Sequence, residues 1–426
     1  MGSRSAADQT YVRELNLSSV LRRVYHEAPT SRAQLATRTG LNKSTISSLI
    51  EDLMQRGLIR ELGTNSTGAG RPATLLEINA RVGAVISVEL GVDFMLAAVI
   101  DFIGTVLWRK QMSADAAESQ AQTLAQIGAL IDEAAAQCTE RNLTPLALSF
   151  AIPGTVDIDE GMLIYAPNLN WRNVAFRRLF AGRGLRVYVE NDANAAAVGE
   201  HLFGDAQQAQ NFVFVFAGVG LGGGLFLNGQ LYRGAGGYAG EIGHTPILAQ
   251  PFGLECHCGK QGCWEMYANQ AAILRRLKSL IDAAPGTRSV TASLLETGAI
   301  AATIALIKQA ADAGDPQAVA ALAEEGCALG IGMAGLINVL NPEKIILGGP
   351  ISMAGEHLLP AILASVKQHG MQEIVSQAEI SLSGFGPDAS VIGAAAVVVD
   401  DILTNPTHVE KEVVPGALMS TISARV

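Results

Sequence analysis

The stretch that decides the fold runs from Glu241 to Glu265. It reads Glu-Ile-Gly-His, then eleven residues, then Cys-His-Cys-Gly-Lys-Gln-Gly-Cys-Trp-Glu. Three of the chain's five cysteines fall within these last ten positions, as Cys256, Cys258 and Cys263. Three thiolates and one imidazole, from His244, make the ligand set of a tetrahedral zinc site. The stretch therefore predicts one bound Zn²⁺.

Two alternatives to this ligand set stay open at the level of sequence. Cys258 and Cys263 could be buried free thiols, and His257 competes with His244 for the nitrogen position. Adjacent residues rarely both reach one metal, so we expect His244 to be the ligand beside Cys256. A metal on one ring nitrogen would leave the other nitrogen free for a ligand and would fix the ring's orientation.

This arrangement resembles the signature of the ROK family, which contains sugar kinases and sugar-responsive repressors. The resemblance is specific in order and spacing and extends over nearly the whole chain. It implies that the zinc is structural and that the flanking Glu and His side chains bind sugar hydroxyls. By position, it assigns zinc to His244, Cys256, Cys258 and Cys263, and sugar to Glu241, His244 and Glu265.

Length and composition favour an α/β protein of several domains. The 426 residues are 49% hydrophobic and include 45 glycines, which suits many tight turns between strands and helices. We expect a head at residues 1–80, a first lobe at 81–210 and a second lobe with the zinc site at 211–426, with helices near the C-terminus returning to the first lobe.

No uninterrupted apolar run reaches the roughly 20 residues that span a bilayer. The chain also begins without a basic-then-apolar signal pattern. We therefore expect a cytoplasmic protein with no membrane partner.

Charge is divided unevenly along the chain. Residues 1–80 carry ten Lys and Arg against seven Asp and Glu, whereas residues 81–426 carry twenty against thirty-three. The negative charge of the chain, −10 in total, therefore comes from residues 81–426, and the head has an excess of positive charge. This distribution favours nucleic-acid binding by the head.

The head carries the pattern of a helix-turn-helix. Apolar residues recur at helical spacing over 13–27 and 43–56, Ser31 and Asn42 are expected to cap the second and third helices, and Gly40 makes the turn. The third helix begins with hydroxyl side chains and one cation, which suits the major groove. The alternative is a plain solvated helix. The predicted DNA contacts are Arg32, Lys43, Ser44, Thr45, Ser47, Ser48 and Arg71.

A wing follows the third helix. Residues 58–62 and 74–78 alternate like two strands, and the loop between them ends in Gly70-Arg71-Pro72. Arg71 at such a tip can insert into a narrow minor groove, although a disordered linker with an incidental arginine would show the same letters. Within the ROK family the repressors have this head and the kinases lack it.

Two similar sets of Val-, Ile- and Ala-rich segments with glycine breaks begin near residues 84 and 212. Their spacing predicts two α/β lobes whose sheets are buried on both faces. The resemblance adds the named architecture, the duplicated ribonuclease-H-like fold of the actin–hexokinase superfamily.

A polar cluster follows the strand predicted at 187–189. The resemblance implies that Asp192 matches the kinase general base, which takes a proton from the sugar hydroxyl. Asp192 could instead be a helix N-cap, and Asn168, which matches another sugar contact, could be a turn residue after a proline. The predicted sugar contacts are Asn168, Asn191, Asp192, Glu241, His244 and Glu265.

The segment 89–93 departs from the kinases of the family, which have Asp-x-Gly-Gly-Thr there to hold ATP phosphates. This chain has Val92 in place of the second glycine and Asp93 in place of threonine. A carboxylate would repel a triphosphate. The glycines at 218–224 persist, but a tight hairpin alone would explain them. We therefore expect no kinase activity.

Together these features predict a sugar-responsive transcriptional repressor that binds operator DNA as a homodimer or homotetramer. Its effector is expected to be a monosaccharide or sugar phosphate in the cleft between the lobes. The rival interpretation is an ATP-dependent sugar kinase with an appended head. A third is a repressor controlled by a protein partner.

Overall fold

A small N-terminal head precedes two larger lobes, each built on its own sheet. The structure is a computed structural model, and it describes residues 7–65, 73–114, 119–248, 252–283 and 300–411. The head contains α1 (Ala7–Glu27), β1 (Thr30–Ser31), α2 (Arg32–Thr39), α3 (Lys43–Gln55), β2 (Ile59–Asn65) and β3 (Ala73–Ile78).

The first lobe contains β4 (Ala84–Leu90), β5 (Phe94–Asp101), β6 (Val106–Ser113), α4 (Gln120–Glu140), β7 (Pro145–Ile152), β8 (Thr155–Asp157), β9 (Met162–Ala166), β10 (Trp171–Val174), α5 (Phe176–Phe180), β11 (Val187–Asn191) and α6 (Asp192–Leu202). The second lobe contains β12 (Phe212–Ala217), β13 (Leu221–Leu227), β14 (Gln230–Leu231), α7 (Gln270–Ala283), α8 (Ile300–Asp312), α9 (Pro316–Leu340), β15 (Lys344–Gly348), α10 (Gly355–His369), α11 (Gln372–Val375) and β16 (Glu379–Leu382). The last helix is α12 (Ala389–Thr404).

Side-chain caps fix the two short helices of the head at the residues that the sequence predicts. Ser31 Oγ accepts from the backbone N–H of Gln34, and Gln34 Oε1 accepts from the backbone N–H of Ser31, so the two form a capping box. Gly40 ends α2 with a φ of 72°. Asn42 Oδ1 caps α3 by accepting from the Thr45 N–H at 2.8 Å. The helix-turn-helix prediction is confirmed.

The strands of the head form a three-stranded sheet in the order β1-β3-β2. β2 and β3 pair antiparallel, with a bulge between Glu61 and Gly63. The tip of the predicted wing lies at residues 66–72, outside the described residues, and Arg71 is among them.

The two lobes have sheets of the same topology. The first sheet has the order β11-β7-β4-β5-β6 and the second β14-β13-β12-β15-β16. In each lobe, three strands form an antiparallel meander, and the fourth and fifth strands run parallel to the first. The second sheet therefore repeats the first in chain order, and the predicted duplicated ribonuclease-H-like architecture is confirmed.

The last helix, α12, returns to the first lobe and packs on α6, β4 and β7. α12 and α6 cross so closely that a Cβ on Gly393 would lie 2.0 Å from the Ala195 carbonyl oxygen. Only glycine fits there. Buried side chains of α12 share one hydrophobic core with those of α1, α3 and β5. The head and the first lobe are therefore joined by a continuous core.

Within the described residues, α9 is the one helix that has the length and hydropathy of a bilayer-spanning segment. Its most apolar window is 56% buried, and the helix packs against α7 and α10. Glu325 lies in this helix, fully buried, and pairs with Arg276 of α7. The helix thus forms the centre of the second lobe's core.

Candidate functional site

A cavity with a volume of about 510 Å³ lies between the lobes. Its lining comes from the end of β4, the start of α6, the β12–β13 hairpin and the segment that carries Glu241 and His244. Cavities of this size hold small-molecule ligands. All six predicted sugar contacts line it: Asn168, Asn191, Asp192, Glu241, His244 and Glu265.

Asn191 caps α6, and both polar atoms of its side chain make hydrogen bonds to the backbone. Its Oδ1 accepts from the backbone N–H groups of Ala193 at 3.0 Å and Asn194 at 3.1 Å, while its Nδ2 donates to Gly154 O at 3.0 Å. The residue that caps the helix is therefore Asn191 and not Asp192. Asn191 fixes the turn that presents its neighbour to the cavity.

Asp192 is the first residue of α6 and faces the cavity. Burial raises the pKa of its carboxyl to about 6, and the nearby Glu241 carboxylate adds to the rise. The backbone N–H of Ala193, which donates to Asp192 Oδ1 at 2.8 Å, opposes it. Asp192 is thus a desolvated acceptor at the point where a sugar hydroxyl would approach.

Glu241, His244 and Glu265 form a second polar group in the lining of the cavity. His244 Nδ1 lies 3.2 Å from Glu265 Oε1, and His244 Nε2 lies 3.8 Å from Glu241 Oε2. A Cβ on Gly243 would lie 2.1 Å from Leu221 O, so the Glu-Ile-Gly-His turn needs glycine to fit against the hairpin. Burial and the Glu265 carboxylate raise the pKa of Glu241, although His244 opposes the rise.

The predicted metal ligands come together beside this group. The ligand atoms of His244, Cys256, Cys258 and Cys263 all lie within 4.8 Å of one another. His244 Nδ1 is 3.6 Å from Cys256 Sγ, and Cys258 Sγ is 3.6 Å from Cys263 Sγ. Three sulfurs and one nitrogen at this spacing fit a tetrahedral Zn²⁺.

Two details bear on the alternatives for the metal ligands. Cys258 is exposed, so a buried free thiol does not describe it. His257 lines the cavity, but the four-residue ligand group contains His244 instead. Gly262 has a φ of 80°, and a Cβ there would lie 1.9 Å from Leu248 O, so this glycine is needed to return the chain to Cys263.

The segment 89–93, whose sequence departs from the kinase pattern, also lines the cavity. Val92 and Asp93 both line it. A Cβ on Gly91 would lie 2.3 Å from the Phe94 ring, so an aromatic side chain occupies the space next to this turn. Glu89, at the end of β4, is 2% exposed, and its Oε2 has no hydrogen-bond partner among the described residues.

A buried ion pair in the cavity is absent from the sequence-based predictions. Glu190 of the first lobe, 2% exposed, pairs with Arg233 of the second lobe. Glu190 also accepts from the backbone N–H of Asn191 at 2.9 Å and from Asn194 Nδ2 at 3.3 Å. The sequence does hold one signal for it, because Arg233 is the only Lys or Arg between Arg186 and Lys260.

Six of the seven predicted DNA contacts belong to α2 and α3, and the seventh, Arg71, lies outside the described residues. Lys43, Ser44, Ser47 and Ser48 of α3 are exposed, and Thr45 is half-buried. Arg32 forms an ion pair with Glu61 of β2 at 2.8 Å, so its guanidinium is already engaged.

The body and the head of the chain each match a known protein family. The model of the ROK family matches residues 85–401, and that of the IclR helix-turn-helix domain matches residues 17–63. The xylose repressor of Caldicellulosiruptor bescii is 31% identical over 402 residues, which cover 94% of this chain and 99% of the relative.

Two solved structures are similar to the chain. One is a ROK family transcriptional regulator described as a homolog of the E. coli MLC protein, with a TM-score of 0.77 and 29% identity over 94% of this chain and 99% of that one. The other is a ROK family glucokinase from Streptomyces griseus in complex with glucose and AMPPNP, with a TM-score of 0.66 and 33% identity over 74% of this chain and 99% of that one.

Proposed function

The chain belongs to the ROK family, and from that premise we propose that it is a sugar-responsive transcriptional repressor. The observation that carries the proposal is the combination of two regions in one chain. A helix-turn-helix head shares its core with a body whose interlobe cavity is lined by hydroxyl-binding side chains. The head binds operator DNA, and the cavity binds the effector.

The cavity suits vicinal hydroxyls. Asp192, Glu241 and Glu265 supply carboxylate acceptors, and the exposed Asn168 supplies an amide. A Cβ on Gly220 would lie 3.4 Å from Asn168 Nδ2 and 3.8 Å from Glu265 Oε2, so these two groups flank the same point of the hairpin. A hydroxyl placed there meets a donor and an acceptor at once.

His244 links the cavity to the metal ligands. Its Nδ1 faces Cys256 Sγ, which leaves Nε2 on the side of Glu241. Zn²⁺ on His244, Cys256, Cys258 and Cys263 would hold the loop in its folded shape. His244 and Glu265 then stay oriented toward the sugar.

We propose that the protein binds sugar without phosphorylating it. Phosphoryl transfer depends on a cradle that positions the phosphates and stabilises their charge. Asp93 and Phe94 put a carboxylate and an aromatic ring in that region, and Val92 removes a glycine. Asp192 therefore serves as a ligand contact.

The rival function, a sugar kinase with an appended head, has one observation in its favour. The solved glucokinase is 33% identical to this chain. A coupled ADP assay with Mg²⁺, ATP and a panel of monosaccharides separates the two functions. We expect sugar binding without ADP release above background, and sugar-dependent turnover would contradict the proposal.

The repressor function itself is tested by fluorescence anisotropy with DNA from the protein's own promoter region. We expect a cytoplasmic homodimer or homotetramer that protects a pseudo-palindrome, with half-sites about one or two helical turns apart. A monosaccharide or sugar phosphate should lower DNA affinity, since an effector acts only through different affinities for the two states. DNA affinity unchanged across the panel would favour control by a protein partner.

A further inference from the structure

Acidic side chains far outnumber basic ones in the lining of the cavity. Six carboxyl groups line it, whereas the one Lys or Arg among the described lining residues is Arg233. The carboxyl groups belong to Glu89, Asp93, Glu190, Asp192, Glu241 and Glu265. The imbalance holds both for the predicted sugar contacts and for the segment that carries Glu89 and Asp93.

Arg233 is not available to an anionic ligand. Its guanidinium pairs with Glu190, a carboxylate that is 2% exposed and has two further donors in Asn191 N–H and Asn194 Nδ2. To bind a phosphate, Arg233 would have to leave a buried carboxylate with less compensation. The pair also joins the two lobes, so breaking it would remove a contact between them.

Helix N-termini are the other common anion sites in proteins, and side-chain oxygens already accept from N–H groups of the two helices, α6 and α7, whose first residues line this cavity. At α6, Asn191 Oδ1 and Asp192 Oδ1 accept from the first backbone N–H groups. At α7, Asn269 Oδ1 accepts from the backbone N–H of Ala272 at 2.8 Å. The chain's own oxygens thus take the places where phosphate oxygens would lie.

An uncharged sugar matches this lining because its hydroxyls donate. Ionised carboxylates only accept hydrogen bonds, so they pair with hydroxyl groups and oppose phosphate oxygens. Burial and the Asp192 and Asp388 carboxylates raise the pKa of Glu89 well above its usual range, so negative charge on Glu89 is disfavoured.

We infer that the effector is an uncharged sugar and that the phosphate ester of the same sugar binds at least ten times more weakly. This inference rests on the proposed function, because it assigns the chemical class of the ligand for the same cavity. It separates two classes of effector that the sequence leaves open.

Calorimetry with the full-length protein tests the inference on matched pairs. The probes are D-glucose with D-glucose 6-phosphate and N-acetyl-D-glucosamine with its 6-phosphate, and D-xylose serves as a further neutral sugar. We expect the tighter partner of a binding pair to be the neutral one, by about tenfold or more. A phosphate ester that binds as tightly as its parent sugar, or more tightly, would overturn the inference.

A charge variant provides an independent readout. In Asp93→Asn, the dissociation constant of the phosphate ester divided by that of its neutral parent sugar should fall several-fold, because one repelling carboxylate is removed. Asp282→Asn changes an exposed carboxyl of α7 outside the cavity lining and should leave the ratio unchanged. Equal ratios in wild type and Asp93→Asn would contradict the electrostatic explanation.

The experiments distinguish failure of the proposed function from failure of the inference alone. A protein that binds its operator but neither member of any pair nor D-xylose would contradict sugar control itself, and with it the inference. A protein that binds and responds to phosphate esters in preference to neutral sugars would remain a sugar-responsive repressor. In that case only the assignment to uncharged sugars would be wrong.

Discussion

Arg22 of the first helix donates to Asp400 of the last helix, with an Nη2–Oδ1 distance of 2.8 Å. The same nitrogen reaches Thr404 Oγ1 at 2.6 Å, and Ser18 Oγ donates to Leu403 O at 2.8 Å. Below these contacts, α1 and α12 share a buried core. Such a contact fixes the head to the first lobe, so we expect the two to move as one body.

The first prediction concerns this junction. Leu403→Ala should destabilise the head and the first lobe together by about 2–5 kcal/mol, since Leu403 is fully buried in their common core. Arg22→Ala should cost less than about 1 kcal/mol, because the side chains of the ion pair are 36% and 46% exposed. Hydrogen exchange during denaturant titration measures both. Head amides that lose protection while β4 and β5 keep theirs would contradict a common unit.

The second prediction concerns the metal ligands. Cys258→Ser should abolish tight zinc binding, loosen the second lobe and remove the response to sugar, because structural zinc supplies on the order of 10 kcal/mol of binding free energy. Cys327→Ser is the matched control, since Cys327 is an exposed cysteine of α9 outside the cluster. Elemental analysis and limited proteolysis check both variants. Wild-type protein that contains no metal when purified without chelators would refute the zinc assignment.

The third prediction concerns DNA. Lys43→Ala should weaken binding to all operators similarly and reduce the salt slope by about one, because the exposed ammonium would contact a phosphate. Lys278→Ala, an exposed lysine of α7, should change neither. Arg71→Ala should weaken binding most at operators with A·T-rich minor grooves. Anisotropy titrations between low and moderate salt measure these effects, and an unchanged slope for Lys43→Ala would count against the assigned surface.

The fourth prediction is a pH dependence of sugar binding. The pKa of Asp192 in the free protein is about 6, and a hydroxyl that donates to its carboxylate would lower that pKa in the complex. Binding then releases a proton, so affinity should rise up to about tenfold from pH 5 to 7 and level off above that. Asp192→Asn should bind more weakly and lose the dependence. Calorimetry in buffers of different ionisation enthalpy detects the proton, and a pH-independent wild type would contradict the role of Asp192.

In the ligand-free protein, ionisation of Asp192 lowers the free energy of unfolding. Because the folded pKa lies above the usual value of 3.8, the ionised carboxylate is disfavoured by the fold. Its contribution to stability should therefore fall as pH rises from about 4 to 6 and stay low above. Denaturant unfolding of ligand-free wild type should show this slope, and Asp192→Asn should lack it.

Local signals were sufficient for much of the fold. Ser31 and Asn42 cap their helices because a cap depends on three or four adjacent residues, which the sequence displays directly. The cysteine spacing predicts the Cys258–Cys263 approach for the same reason, since only four residues separate the two. The repeated order of the two sheets follows from the recurrence of similar strand segments.

Long-range pairs could not be predicted in this way. Arg22 and Asp400 are 378 residues apart, and Glu190 and Arg233 belong to different lobes, so each pair depends on how whole elements pack. The cap of α6 shows a local limit as well. Asn191 and Asp192 both suit an N-cap by composition, and only the backbone geometry assigns the cap to Asn191 and leaves Asp192 facing the cavity.

α12 also spans the distance between the cavity and the head. Its N-terminal turn meets Glu89 at the cavity and its C-terminal turn meets α1, so its 16 residues place about 24 Å between the two contacts. Because α12 belongs to the common core, a rotation of the first lobe by about 10° about the cavity end, smaller than the roughly 15° known for allosteric subunits, would displace the far end by about 4 Å. One base pair rises roughly 3.4 Å along the duplex. A rotation of this size on sugar binding would thus displace the head by more than the rise of one base pair. Such a displacement is enough to misalign the two heads of a dimer with their half-sites.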